Sequence, residues 1–76
     1  MSKQWEKYIQ KLTKKEKEKI LSILNLIFSN KLNNLDIKEL QGVNNNFRCR
    51  IWKHRIIFEK ISNKIKIIQI NNRGNI

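Results

Sequence analysis

The chain has 76 residues, with thirteen lysines and four arginines against six acidic residues, and a formal charge of +11. A chain this short makes one domain with a modest core and marginal stability, so residues 1–76 are read as a single domain. One cysteine excludes an internal disulfide, one Cys with one His cannot build a zinc site, and no apolar run approaches the roughly 20 residues of a membrane span.

Taken in chain order, Trp5, Tyr8, Ile9 and Leu12 stand at i, i+3, i+4 and i+7, which predicts a short helix over 4–12 with these residues in the core. Thr13-Lys14-Lys15-Glu16 matches a capping box, in which threonine accepts from the N3 amide and Glu16 reaches back to the Thr13 amide. A second helix is expected over 14–29, with Ile20, Ile23, Leu24 and Ile27 on its apolar face and Leu21 and Phe28 flanking. The lysines of this half then solvate the outside of a helical hairpin. Residues 29–46 are rich in Asn and read as a connector, with Leu35 to Leu40 packing as a helical turn. The remainder is dense in β-branched and aromatic residues and predicts strands over 47–52, 55–61 and 65–70. Lys53-His54 and Ser62-Asn63-Lys64 serve as the hairpin turns. The fold class is therefore α+β: an N-terminal helical hairpin packed on a C-terminal antiparallel sheet of three strands, or four if a further segment joins.

All four arginines, Arg48, Arg50, Arg55 and Arg73, lie in the last 29 residues. Residues 42–76 carry four Lys and four Arg against Glu59 alone, a net +7, while residues 1–41 carry +4 from nine Lys and five acids. Side chains alternate across a strand, so parity sorts the faces. Phe47, Cys49 and Ile51 share one face, and Arg48, Arg50 and Trp52 the other. A Lys53-His54 turn pairs Trp52 with Arg55, Arg50 with Ile57 and Arg48 with Glu59. A three-residue second turn pairs Ile57 with Gln69 and carries Arg73 to the arginine side. The helices then cover Phe47, Cys49, Ile51, Ile56, Phe58, Ile68 and Ile70, with Cys49 a buried thiol. Arginine grips phosphate with a planar, permanently charged fork, so four on one open face point to a polyanion.

Leu40-Gln41-Gly42, Phe47-Arg48-Cys49-Arg50-Ile51, His54-Arg55-Ile56-Ile57-Phe58, Ile67-Ile68-Gln69-Ile70 and Arg73-Gly74 together resemble the RelE/ParE superfamily of type II toxin–antitoxin toxins. The resemblance covers nearly the whole chain and includes the basic turn Leu12-Thr13-Lys14-Lys15. It implies a toxin held by a cognate antitoxin protein. In the RelE branch, the toxin enters the ribosome and cuts mRNA by metal-independent attack of a ribose 2′-OH, without a cofactor. On that reading Arg48, Arg50, Arg55 and Arg73 hold the scissile phosphate and stabilise its growing charge. His54 and Glu59 are the candidates for proton transfer, and Lys53 and Trp52 for RNA contact. The alternatives are a ParE-like inhibitor that binds DNA gyrase and cuts nothing, or an inactive RNA-binding relative. Two features depart from the family pattern: no tyrosine follows Arg73 before Ile76, and only Met1–Gln4 is available for the strand that usually precedes the first helix. Met1-Ser2-Lys3-Gln4-Trp5 has no signal-peptide character, and a cytoplasmic protein with no membrane partner is expected.

Overall fold

The computed structural model describes residues 3–42 and 44–72. Two helices, α1 (Gln4–Gln10) and α2 (Lys14–Phe28), precede four strands: β1 (Asp36–Glu39), β2 (Asn46–Ile51), β3 (His54–Ile61) and β4 (Lys64–Asn72). The strands form one sheet in the order β1-β2-β3-β4, each pairing antiparallel with its neighbour. The α+β class and the order of helices before sheet are as expected. The sheet has four strands rather than three.

The helices start where the sequence places them. The Lys3 amide donates to the Glu6 carboxylate at 3.2 Å, satisfying one orphan donor of α1. Thr13 Oγ1 accepts from the Glu16 amide at 3.2 Å and caps α2. The second half of the expected capping box is different. One Glu16 oxygen stays 3.4 Å from the Thr13 hydroxyl, while the other turns toward the β2–β3 hairpin. Ile20, Ile23, Leu24 and Ile27 of α2 are buried, as is Ile9 of α1, and Trp5, Tyr8 and Leu12 pack against the same core. Against them the sheet sets Cys49, Ile51, Ile56, Phe58, Ile67 and Ile70. Phe47 and Phe58 are direct cross-strand partners and stack with ring centroids 5.6 Å apart.

Three expectations are corrected. First, Leu35 to Leu40 is not a helical turn: its centre is strand β1, paired with β2 through Asp36–Arg50, Ile37–Cys49, Lys38–Arg48 and Glu39–Phe47. Only Ile37 gives this strand an apolar side, so its pairing comes from the backbone of β2 and leaves little trace in the hydropathy. Second, the first turn is Trp52-Lys53, not Lys53-His54, with Ile51 opposite His54. Arg50 therefore faces Arg55, Arg48 faces Ile57, and Glu59 faces Asn46. The turn still has two residues, so each partner moves by two positions and every side chain keeps its face. Third, the second turn is the two-residue Ser62-Asn63, and a β-bulge between Ile57 and Phe58 absorbs the difference. The expected Ile57–Gln69 pair survives on one side of the bulge. On the other side Ile67, rather than Ile68, enters the core, and Ile68 is left 41% exposed.

Candidate nucleic-acid interface

The register builds the open face of the sheet in rows. One row runs Asp36, Arg50, Arg55, Asn71; the next runs Lys38, Arg48, Ile57, Gln69; a third brings Asn46, Glu59 and Lys66 together. Arg48, Arg50 and Arg55 thus share one face, as parity requires. Arg73 lies outside the described residues. Strand β1 adds Asp36 beside Arg50 and Lys38 beside Arg48, so among the described strand residues this face carries six cations (Lys38, Arg48, Arg50, Arg55, Lys64, Lys66) against two carboxylates (Asp36, Glu59). Sequence reasoning missed Lys38 and Asp36, because a segment read as a helical turn has no sheet face to contribute to. The alternation of exposed charge around Ile37 is the trace that could have revealed them.

Ile57 sits in the middle of these rows, yet it is only 8% exposed and stands apart from the core under the helices. Its cross-strand partners on this face are Arg48 and Gln69. Arg48 and Arg55 are half-buried, and the Nε of each is sealed from solvent with no hydrogen-bond partner among the described residues. A dry N–H donor without an acceptor is costly, and an anionic oxygen would satisfy it. Arg50 and Arg55, directly opposite one another, bring like charges together at a price that a bound phosphate would relieve.

His54 is elsewhere. It opens β3, faces the helices, and is completely buried. The Tyr8 hydroxyl lies 2.8 Å from His54 Nδ1, and the two rings meet edge to face at 5.7 Å. His54 Nε2 faces Glu16 Oε2 at 3.4 Å, an ion-pair distance without a hydrogen bond, so Tyr8 is the ring's one hydrogen-bond partner among the described residues. The same Glu16 oxygen pairs with Lys53 Nζ at 3.4 Å. Burial raises the Glu16 carboxyl, but Lys53 and His54 outweigh it and hold the group below the ordinary carboxylate value. Burial, and then the Glu16 charge, push the Tyr8 phenol up. This cluster ties α1, α2 and the β2–β3 hairpin together on the side of the sheet away from the arginines. A ligand on the arginine face is out of reach of Tyr8, Glu16 and the fully buried His54, because the sheet intervenes.

Trp52 is the first central residue of the β2–β3 turn, with φ at +51°, a conformation that a bulky side chain rarely adopts. It is half exposed, and the Lys19 ammonium lies 5.9 Å from its ring centroid. Trp52 and Arg50 share a hollow of about 250 Å³ with Asp36 and Lys19. Lys53 remains largely exposed while paired to Glu16. Glu59 lies diagonal to Arg48 on the arginine face, next to Lys66, and not directly opposite Arg48. Cys49 is fully buried, and its thiol is pushed up to about 11 by that burial and by Asp36, which leaves it unreactive. No set of His, Cys, Asp and Glu among the described residues could hold a metal ion, and no helix of the described residues is long and apolar enough to cross a membrane.

A helical hairpin covers one side of a four-stranded antiparallel meander, and the opposite face is basic. The chain is similar to a chain of the RelB–RelE antitoxin–toxin complex of Methanococcus jannaschii, with a TM-score of 0.76 and 28% identity over 95% of this chain and 87% of that one. That likeness places it in the RelE-like toxin superfamily. No protein-family model matches the chain, and no curated protein matches it.

Proposed function

We propose that this protein is the toxin of a type II toxin–antitoxin pair, restrained by a cognate antitoxin protein, and that it acts in the cytoplasm as a ribosome-dependent endoribonuclease on mRNA. The observation that carries the reading is the arginine face: Arg48 and Arg55, whose dry Nε donors have no partner among the described residues, stand beside Arg50 and Ile57. The arginines would grip the scissile phosphate and stabilise the charge that develops on its oxygens. The ribose 2′-oxygen bonds to phosphorus, and the bond from phosphorus to the 5′-oxygen breaks. A cyclic phosphate and a free 5′-hydroxyl result, and the reaction needs no metal. Glu59, diagonal to Arg48, can accept the 2′-OH proton, and the Lys38 ammonium can return one to the leaving oxygen. Arg73 joins the phosphate grip on the strength of the sequence resemblance. Trp52 and Lys53 would contact flanking RNA.

The test is a translation extract containing ribosomes, with message 5′ ends mapped by primer extension for the parent protein and for Arg55→Ala and Arg73→Ala. New ends on translating messages that vanish with Arg55→Ala support the nuclease. Intact messages with a correctly folded protein remove it in favour of a protein-binding toxin or an inactive relative.

A further inference from the structure

Positive backbone φ angles fall, among the described residues, at five positions. Four of them are Asn30, Gly42, Asn45 and Ser62, all small or able to hydrogen-bond their own backbone, which makes the left-handed region accessible. The fifth is Trp52, at +51°, on the first central position of the β2–β3 turn. Glycine, asparagine or aspartate is the usual choice there, and a bulky side chain is held at a cost in stability. Burial does not offset this, since the indole is 48% exposed. Strain of this kind gathers where a side chain must be presented rather than packed.

The surroundings of the ring define what it can be presented to. Trp52 lines a hollow of about 250 Å³ at the corner where α2, the start of β1 and the hairpin meet. Ile23 and Ile51 supply its apolar wall, and Lys19, Arg50 and Asp36 its charged one. The Lys19 ammonium lies 5.9 Å from the ring centroid and steadies the indole. Arg50 belongs to both the hollow and the arginine face, so an RNA strand whose phosphate is gripped there brings a neighbouring base to this corner. Proteins read single-stranded RNA by stacking splayed bases on aromatic rings and hydrogen-bonding their edges. The Asp36 carboxylate only accepts hydrogen bonds. Adenine, cytosine and guanine each offer it an amino group. Uracil offers a ring N–H between two carbonyl oxygens, which the carboxylate repels.

We propose that this hollow is a base-selecting subsite beside the phosphate grip, in which a single-stranded nucleobase stacks on Trp52 and Asp36 favours a base with an exocyclic amino group over uracil. The subsite rests on the proposed RNA-binding reading of the arginine face. It adds a selectivity that phosphates cannot supply, because they are the same at every nucleotide. Trp52 gives affinity that tolerates any base, and Asp36 gives the choice between bases.

The probes are short uridine oligonucleotides carrying a single adenosine, cytidine or guanosine, compared with the all-uridine strand by fluorescence anisotropy. Ribosomes are left out, so the ribosome-dependent cleavage does not consume them. All probes carry the same phosphates, so the ratio of affinities isolates the base. The amino-bearing probes should bind about tenfold tighter than uridine alone. In NMR spectra the Trp52 indole resonance should move with them while that of Trp5 stays. Trp52→Asn suits the turn, should fold as stably as the parent, and should lower affinity for the amino-bearing probes about tenfold. Asp36→Asn should keep the stacking and narrow the ratio to uridine, because an amide can donate to a uracil carbonyl. Equal affinity for all probes, a preference that survives Trp52→Asn, or a Trp52→Asn protein that loses its fold would overturn the proposal. Absence of binding by every probe would overturn it together with the RNA reading of the arginine face. A Trp52-dependent base preference alongside intact messages in the translation extract would refute cleavage alone and support the subsite.

Discussion

Substituting Tyr8→Phe removes one hydroxyl and retains the ring that meets His54 edge to face. The hydroxyl's bond to His54 Nδ1 is 2.8 Å long, and His54 is completely sealed from solvent, so no water can replace the lost partner. Leaving a buried acceptor unsatisfied costs about 1–3 kcal/mol. At about 0.05–0.15 kcal/mol per residue, the whole domain is stable by only about 4–11 kcal/mol. A loss of about 2 kcal/mol lowers Tm by about 8–16 °C in a domain of this size. Urea unfolding followed by circular dichroism, with a thermal scan, measures both quantities. Glu16→Gln, alone and combined with Tyr8→Phe, completes a cycle, because the two groups bracket one imidazole. Their effects should therefore be non-additive. A Tyr8→Phe protein within about 0.5 kcal/mol of the parent would refute the assignment of His54 as the pin between hairpin and sheet. Cleavage, assayed where both proteins are folded, should be unchanged. Lost cleavage at unchanged stability would return His54 to the chemistry.

Two further outcomes are expected. Because the Glu16 carboxyl is held below its ordinary value, its contribution is complete above the unfolded carboxylate value of about 4.3 and is lost as pH falls through the folded value. An acid titration of stability should therefore lose part of its steepness in Glu16→Gln, and identical acid limbs would contradict the cluster. If Lys38, Arg48, Arg50 and Arg55 contact phosphates of single-stranded RNA, log affinity against log salt should have a slope of about −3, and each alanine should reduce its magnitude by about 0.7. A slope that Arg50→Ala leaves untouched, measured by fluorescence anisotropy on a uridine oligonucleotide, would place RNA on another surface.

The arginine face was legible because it rested on parity, not on register. The observed turn is Trp52-Lys53, which changes every β2–β3 partner from the expected set, yet Arg48, Arg50 and Arg55 keep their side. A two-residue shift conserves the alternation, whereas a one-residue shift would have driven the guanidinium groups into the core. His54 shows the opposite case. It reads in sequence as a polar turn residue, and only its pairing with Ile51 reveals that it faces the helices. Its partners Tyr8 and Glu16 are 46 and 38 residues away along the chain, so no local pattern could announce them.

What the sequence alone determined were the features written in local periodicity: two amphipathic helices, the Thr13 cap, three of the strands, and the side on which Arg48, Arg50 and Arg55 project. The tertiary structure decided what depends on pairing between distant segments. Strand β1 exists because β2 offers it a backbone edge; the bulge exchanges Ile67 for Ile68 in the core; and the Gln4 amide meets Ile70 across 66 positions of chain. Backbone hydrogen bonds carry no side-chain signature, so an edge strand with one apolar residue, or a rung made by a glutamine, becomes visible only when the sheet is assembled.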